Sequence, residues 1–263
     1  MAFDSEERMG GDSRVVITGC EGYIGTVLKQ RISALGYDID TWDIRKRLET
    51  PMENVTCVVH LAGLVRVGES TKNPLKYYDT NVTGTLNVIR AFPNAKMVFA
   101  STGAAFDPDS PYGHSKAMSE QIIKDSCKEY TIFRFYNVGG GKPTNPEGLP
   151  MAIEKAKKSK EFIIYGDNYN TKDGTCIRDY VHVEDIVDAL VKAVKEPGAM
   201  TDYEPLGSGK SYTVKEYLAA YQEVHNKVFK IKIGDRRVGD LERSEVPFLS
   251  EFINPIRDLK DIV

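Results

Sequence analysis

Tyr112 and Lys116 stand four residues apart and are of types that together could transfer a proton. They follow Ser110-Pro111, which favours a helix start, so both side chains are expected on one face of that helix. Lowering a phenol pKa from near 10 to about 7 requires about 4 kcal/mol. A lysine ammonium about 4 Å away supplies about that much at an effective dielectric near 20. The pair therefore predicts a tyrosine base, with a pKa lowered by lysine, that removes a proton from an alcohol.

A hydroxyl and a glycine-rich turn precede this pair. Thr102 directly follows a strand predicted at 96–101, and at the carboxyl end of that strand its hydroxyl could share the proton of a bound alcohol. Gly19, Gly22 and Gly25 have the spacing G-x-x-G-x-x-G between a predicted strand and a predicted helix. Glycines there let a pyrophosphate approach the helix N-terminus, where free N–H groups stabilise negative charge. The turn therefore predicts a dinucleotide site.

An acidic residue ends the second predicted strand. Asp43 comes 18 residues after Gly25. An acid at about this distance from such a turn accepts hydrogen bonds from the ribose hydroxyls of the dinucleotide. Its charge would repel a 2′-phosphate, which favours NAD over NADP. Arg45 and Arg47 nearby keep NADP open as an alternative.

The elements that must position these residues alternate along the first half of the chain. Sequence patterns predict strands at 14–18, 37–43, 55–61, 96–101 and 131–136, and helices at about 24–35, 79–91 and 112–127. We therefore predict an α/β fold with a Rossmann-type, doubly wound parallel sheet. A Pro- and Gly-rich segment after Asn137 predicts the start of a second, smaller unit. Its expected elements are a strand near 161–165 and helices near 151–159, 183–195 and 213–226.

Composition excludes several classes of protein. The 263 residues include 35 Lys and Arg against 38 Asp and Glu, and this net charge of −3 offers no surface for nucleic acid. No apolar run approaches the length of a membrane span, and residues 1–12 are expected to be a disordered leader. The four cysteines lack the spacing of a disulfide framework or a metal site. We therefore expect a cytoplasmic protein with no metal and no nucleic-acid or membrane partner.

The glycine turn, Thr102 and the Tyr112–Lys116 pair together resemble the extended short-chain dehydrogenase/reductase superfamily. Two stretches are similar to its UDP-glucose (UDP-galactose) 4-epimerase family. They are HLAGLVRVGES at 60–70 running into YYDTNVTGTL at 77–86, and IYGDNYNTKDGTCIRDYVHVED at 164–185. The resemblance covers roughly residues 14–240 and implies a shortened member of that family. It also implies NAD held throughout turnover, a UDP-sugar substrate and a homodimer, which is common in the family.

The resemblance implies a role for each matched residue. Tyr112 would act as base and acid at the sugar O4, Lys116 would tune it and bind the nicotinamide ribose, and Thr102 would assist. The implied cofactor site comprises Gly19, Gly22, Tyr23, Ile24, Gly25, Asp43, Leu61, Ala62, Gly63, Asn81, Tyr112 and Lys116. The implied substrate site comprises Thr102, Tyr112, Asn137, Tyr165, Arg178, Arg237 and Asp240. The implied reaction passes through a 4-keto sugar that turns over and is reduced on its other face, which interconverts UDP-glucose and UDP-galactose.

The resemblance also implies two domains. The NAD-binding Rossmann domain would comprise 13–138 plus about 177–197, and the smaller C-terminal UDP-sugar domain about 139–176 plus 198–263.

The sequence departs from the family pattern at several points. The connection 44–56 has only 13 residues, Val65 stands where the family has a lysine, and the tail 241–263 no longer follows the pattern. Other functions therefore stay open, namely a UDP-GlcNAc epimerase or 4-keto reductase of the same superfamily, or a non-catalytic NAD-binding sensor of the same fold. Gly103 directly after Thr102, in place of an acidic residue, argues against the related dehydratases and decarboxylases.

Overall fold

Strand pairing defines the fold, and the computed structural model of the chain describes residues 14–46, 52–141, 148–196, 200–237 and 240–263. The strands are β1 (Arg14–Thr18), β2 (Asp38–Trp42), β3 (Val55–His60), β4 (Lys96–Thr102), β5 (Tyr130–Phe135), β6 (Asn137–Gly139), β7 (Glu161–Tyr165), β8 (Ile177–His182), β9 (Met200–Leu206), β10 (Ser211–Thr213), β11 (Lys230–Gly234) and β12 (Arg243–Ser244). Six of them form one sheet in the order β2-β1-β3-β4-β5-β9, and every pairing within it is parallel. The predicted α/β fold with a parallel sheet is confirmed.

Helices connect these strands. They are α1 (Tyr23–Ala34), α2 (Val67–Ser70), α3 (Pro74–Tyr77), α4 (Gly84–Ala91), α5 (Pro111–Ser126), α6 (Gly148–Ser159), α7 (Val183–Lys195), α8 (Val214–His225) and α9 (Leu259–Ile262). The helix predicted at 79–91 begins earlier, because Pro74 starts α3 and a π-helical turn at Tyr78–Thr83 joins α3 to α4. Within the described ranges, none of the helices has the length and apolar character needed to cross a membrane.

Two apolar layers cover the faces of the large sheet. In one layer, Val15 and Ile17 of β1 pack with buried residues of α1 and α7 such as Leu190. In the other, Val16 of the same strand packs with Val88 of α4 and with apolar residues of α5. Because successive side chains of a strand point to opposite faces, this alternation buries β1 on both sides. The large sheet is therefore packed on both faces, and its carboxyl edge carries the residues described below.

Strand pairing assigns two segments differently from the predicted domain boundaries. β8, predicted within the NAD-binding domain, pairs with β6, β10 and β12 in a smaller sheet, whereas α7 directly after it packs on the large sheet. β9, predicted within the UDP-sugar domain, is the sixth strand of the large sheet and pairs with β5. Its sequence MTDYEPL lacks the apolar run of a central strand, and an edge strand tolerates such residues. The wider division into cofactor and substrate domains stays a prediction.

Candidate active site

One cleft of about 420 Å³ opens at the carboxyl ends of β1, β4 and β5, the edge at which such sheets bind ligands. The predicted site residues that line it are Gly19, Gly22, Tyr23, Ile24, Gly25, Leu61, Gly63, Thr102, Tyr112, Lys116 and Asn137. Predicted site residues outside its lining are Asp43, Ala62, Asn81, Tyr165, Arg178, Arg237 and Asp240. The structure therefore gathers the glycine turn and the proton-transfer residues in one cavity.

The glycine turn forms a cradle that fits a pyrophosphate. Gly19 has a φ of +71°, and a Cβ there would lie 2.8 Å from the Ala62 nitrogen. A Cβ on Gly25 would collide with the carbonyl oxygen of Gly19. No side chain among the described residues caps α1 at Gly22, so the N–H groups of its first turn stay available to an anion.

The loop after β3 forms the opposite wall of this cradle. The Leu61 N–H donates to the Thr18 carbonyl oxygen at 3.2 Å, and the Ala62 N–H donates to the Thr18 hydroxyl at 3.2 Å. Gly63 lines the cleft, and a Cβ there would lie only 3.1 Å from Oδ1 of Asn81, which packs behind it. The loop is therefore held directly beside the glycine turn.

Asn81 is buried and its side chain is used within the protein. Its Oδ1 accepts from the Leu64 N–H at 2.8 Å, and its Nδ2 donates to the Leu64 carbonyl at 3.1 Å and to the Ser115 hydroxyl at 2.9 Å. These bonds join the loop after β3 to α5. The contacts give Asn81 a positioning role, and the direct cofactor contact stays a prediction.

Asp43 ends β2 outside the cleft lining, and Arg45 holds its carboxylate. Oδ1 accepts from the backbone N–H of Arg45 at 3.1 Å and from its Nε at 2.9 Å, while Oδ2 accepts from Nη2 at 2.8 Å. These bonds lower the pKa of Asp43 to about 2. A ribose contact would therefore compete with Arg45 for the same oxygens. Arg47 lies outside the described residues.

The reactive pair is placed by the start of α5. The Ser110 hydroxyl accepts from the Gly113 N–H at 3.2 Å and caps the helix, with Pro111 at its first position. Tyr112 and Lys116, one turn apart, are only 8 % and 6 % exposed. Thr102, at the end of β4, lines the same cleft, and its side chain acts on the Tyr112 phenol. The predicted trio of Thr102, Tyr112 and Lys116 therefore comes together.

Burial sets the protonation of both reactive groups. Burial raises the pKa of Tyr112 to about 12; the hydrogen bond from Thr102 lowers it and the Tyr77 phenol raises it further. Burial likewise lowers the pKa of Lys116 to about 7, against the attraction of Glu120. The prediction that Lys116 lowers the pKa of the phenol is therefore wrong for the protein alone. Burial disfavours the charged form of each group more strongly than the neighbouring groups favour it. Ionising the phenol needs a further positive charge.

A buried ion pair that the sequence analysis missed lies next to this site, between α5 and β5. Arg134 of β5 donates through Nε to Oε1 of Glu120 at 2.9 Å and through Nη2 to Oε2 at 2.6 Å. The Ser101 hydroxyl also donates to this carboxylate. The cluster ties α5 to β4 and β5 one helical turn beyond Lys116. Sequence spacing gave no signal for it, because the contact joins a helix to a strand.

The predicted substrate residues lie apart from the reactive trio, except for Asn137. Its Nδ2 donates to the Asp179 carbonyl at 3.1 Å at the cleft wall. The Arg237 guanidinium lies 3.7 Å from the centroid of the Tyr165 ring, and the Asp240 N–H donates to the Arg237 carbonyl at 3.2 Å. Arg178 on β8 donates through Nη1 to the adjacent Ile177 carbonyl at 2.8 Å. The structure therefore brings Tyr165, Arg237 and Asp240 together outside the cleft lining.

Comparison with known proteins agrees with this geometry. The profile of the NAD dependent epimerase/dehydratase family matches residues 15–206. A UDP-glucose 4-epimerase of Rhizobium meliloti (strain 1021) is 33 % identical, over 87 % of this chain and 87 % of its own length. The structure of UDP-glucose 4-epimerase from Bifidobacterium longum, in complex with NAD+ and UDP, superposes with a TM-score of 0.85 at 25 % identity, over 95 % of both chains. That from Brucella ovis, in complex with NAD, gives 0.82 at 26 %, over 95 % of this chain and 96 % of its own. The chain belongs to the NAD dependent epimerase/dehydratase family, as an NAD-dependent enzyme similar to the UDP-glucose 4-epimerases.

Proposed function

We propose that the chain interconverts UDP-glucose and UDP-galactose by inverting C4 of the hexose. The observation that carries this proposal is the single cleft that holds both the glycine cradle and the trio of Thr102, Tyr112 and Lys116. A dinucleotide site alone would suit many oxidoreductases, but a buried phenol in the same cleft as a threonine hydroxyl adds a group that exchanges a proton with an alcohol. The relatives named UDP-glucose 4-epimerase support the assignment of this alcohol to a UDP-hexose.

The residues of the cleft divide the work. The glycine turn and the N-terminus of α1 would hold the NAD pyrophosphate. When bound, NAD supplies hydride uptake and return at C4 together with a positive ring charge. Tyr112 takes the O4 proton and later gives it back, while Thr102 orients the phenol and the sugar hydroxyl. Lys116 has a pKa of about 7, so at a pH below this value it is protonated and places a positive charge beside the phenol. Burial of Tyr112 and Lys116 limits the access of water, which would otherwise compete for the same hydrogen bonds.

The nucleotide would be held separately from the sugar. Arg178 and Arg237 carry guanidinium groups suited to a diphosphate, and Tyr165, Asn137 and Asp240 offer ring and polar contacts for a uridine. Inversion at C4 requires the hexose to present both faces, so firm contacts on the sugar would hinder the reaction. We therefore assign most of the binding energy to the UDP part of the substrate.

Incubation with NAD and UDP-galactose, followed by nuclear magnetic resonance of the sugar nucleotides, tests this function. Both substrates and products should reach an equilibrium mixture without net consumption of NAD. Binding of NAD and UDP-galactose without product would favour the non-catalytic sensor, and stoichiometric use of NADH would favour a 4-keto reductase. Turnover of UDP-GlcNAc in place of UDP-glucose would assign the N-acetylated sugar. Homodimerisation and a cytoplasmic location stay predictions.

A further inference from the structure

Tyr136 is a second phenol in the cleft, and the proposed reaction does not use it. It directly follows β5, so it stands at the carboxyl edge of the sheet, and it lines the cleft together with Thr102 and Tyr112. Its side chain is half-buried. Neighbouring Asn137 lines the same wall. Tyr136 therefore stands in the wall of the cleft.

The absence of a side chain at residue 103 makes room for this ring. A Cβ on Gly103 would lie 3.1 Å from Cε1 and from Cζ of Tyr136 and 3.4 Å from its hydroxyl oxygen. Most side chains at this position would therefore press against the tip of the ring. Because Gly103 follows Thr102 directly, the Tyr136 hydroxyl lies close to the segment that carries the catalytic threonine.

The Tyr136 hydroxyl has no hydrogen-bond partner among the described residues, whereas its backbone N–H donates to the Leu206 carbonyl at 3.2 Å. The described residues include several hydroxyls that are enclosed without a partner, and the Tyr136 hydroxyl is not one of them. Burial raises the pKa of Tyr136; nearby Arg134 lowers it, whereas Asp179 and Tyr203 raise it, so the phenol stays neutral and can donate a hydrogen bond at neutral pH. The hydroxyl is therefore available to a ligand.

The chemistry of the surrounding wall indicates which part of a ligand would lie there. Among the described residues that line the cleft, Lys116 is the one with a charged side chain, and it lies beside Tyr112 on α5. The cleft lining near Tyr136 offers the Thr102 hydroxyl and the Asn137 amide, which are neutral hydrogen-bonding groups, whereas Arg134 and Asp179, which act electrostatically on its phenol, do not line the cleft. Neutral donors and acceptors suit a polyhydroxylated sugar better than a phosphate, which favours cations.

We propose that Tyr136 is a sugar-contacting residue whose hydroxyl hydrogen-bonds a hydroxyl of the hexose of the UDP-hexose, across the backbone of Gly103. This contact would help to determine which hexoses the cleft accepts, because a site built to bond a hydroxyl discriminates against sugars that lack it. It deepens the proposed function and rests on it for the identity of the sugar. Tyr136 takes no part in proton transfer.

The variant Tyr136→Phe removes only the hydroxyl and tests this contact. Calorimetry of the NAD-loaded protein should show a Kd for UDP-glucose that is about threefold to tenfold higher, with the Kd for UDP unchanged, because UDP lacks the hexose. Tyr37→Phe is the matched control. Tyr37 is also half-buried, with no hydrogen-bond partner for its hydroxyl among the described residues, but it lies at the amino end of β2, opposite the cleft. It should change neither affinity.

Gly103→Ala offers a second test that leaves the hydroxyl in place. The added methyl group should displace the Tyr136 ring and weaken UDP-glucose but not UDP, whereas Gly68→Ala, where a Cβ meets nothing within 4 Å, should change neither. Equal effects of Tyr136→Phe on both ligands, or no effect on either, would overturn the proposal. If the wild-type protein binds UDP-glucose more tightly than UDP but makes no UDP-galactose, the proposed reaction is rejected. The two Kd values of Tyr136→Phe still test the sugar contact in that case.

Discussion

The reactive end of the site and its nucleotide-anchoring end are built in opposite ways. Tyr112 and Lys116 are 8 % and 6 % exposed, on a helix that packs against the large parallel sheet. Tyr165 at the other end is 36 % exposed, with the Arg237 guanidinium resting on its ring. The first pair is fixed by the same packing that forms the core. The side chains of the second pair meet in a stacking contact at the surface, beside the small sheet of β7 and β11.

This difference shows which part of the function folding itself prepares. A capped helix, a buried ion pair between Glu120 and Arg134 and an apolar layer hold the reactive groups in place without a ligand. Their charges are disfavoured there, which appears in the displaced pKa values of Tyr112 and Lys116. An exposed guanidinium stays hydrated and contributes little to stability. We infer that chemistry is preorganised at the reactive end, whereas binding strength at the other end arises with the substrate.

The largest effect is expected from Tyr112→Phe. Loss of the phenol hydroxyl removes the proton acceptor, so kcat should fall by about 10³-fold or more. The ring keeps its place against Tyr77, with centroids 6.4 Å apart, so the cleft should persist and NAD should still bind. The rate of epimerisation and NAD affinity measured on the same sample check this. Activity within tenfold of wild type would show that another group is the base.

Lys116→Met should lower activity and raise stability at once. Activity should fall by about 10²-fold because the positive charge beside the phenol is lost. Lys116 lies among apolar groups, with Nζ 4.0 Å from the centroid of Phe99, so an uncharged chain of similar length fits its place. Removing this buried charge should increase the free energy of unfolding at pH 6 by about 1–3 kcal/mol.

The pH dependence of that stability gain sharpens the comparison further. The folded-state pKa of Lys116 is about 7, below its ordinary 10.5, so below pH 7 both folded and unfolded chains carry the proton and burial destabilises fully. Between about pH 7 and 10.5 the folded chain has lost the proton, so wild-type stability should rise relative to Lys116→Met. Urea unfolding of both proteins at pH 6 and 9, without NAD, measures the difference. A larger gain at pH 9 than at pH 6 would contradict the burial of a charged lysine.

Arg237→Ala tests the anchoring end and should have a smaller effect. An exposed guanidinium that bonds a diphosphate should raise KM for UDP-galactose about tenfold, with kcat changed little, because the reacting atoms lie elsewhere. Arg236→Ala is the neighbouring control, since Arg236 stacks on Tyr169 and bonds Asn168 within the protein. Steady-state kinetics of both variants check this. A fall in kcat with unchanged KM for Arg237→Ala would place it at the reactive end.

Local sequence patterns predict the parts of this molecule whose structure is locally determined. The β-branched runs at 14–18 and 55–61 gave central strands, and Ser110-Pro111 gave the start of α5. The edge strand β9 was missed because its polar residues need no apolar run, only a free edge beside β5. Whether such a segment forms a strand depends on its position in the sheet, and a local sequence pattern does not specify that position.

The candidate site shows the same limit. Spacing predicted that Thr102, Tyr112 and Lys116 meet, but not that burial would displace the pKa values of Tyr112 and Lys116 in the directions that disfavour charge. Hydration depends on everything that surrounds a group, including side chains distant in sequence such as Phe99. The Tyr136 ring over Gly103 was missed for a related reason, because the contact joins the ends of two different strands.

The smallest effect is expected from Arg45→Ala at the edge of the cofactor site. Two side-chain bonds from Arg45, through Nε and Nη2, now occupy the Asp43 carboxylate, so their loss should free it for a ribose and tighten NAD binding by about twofold to threefold, while the backbone N–H bond of residue 45 stays. The pKa of Asp43 should rise from about 2 toward its ordinary value, which still leaves it ionised at pH 7. NADP should bind more weakly, because an unpaired carboxylate repels its 2′-phosphate. Arg14→Ala, which breaks the Arg14–Asp40 pair between β1 and β2, is the control. Weaker NAD binding by Arg45→Ala would mean that Arg45 itself, and not Asp43, contacts the cofactor.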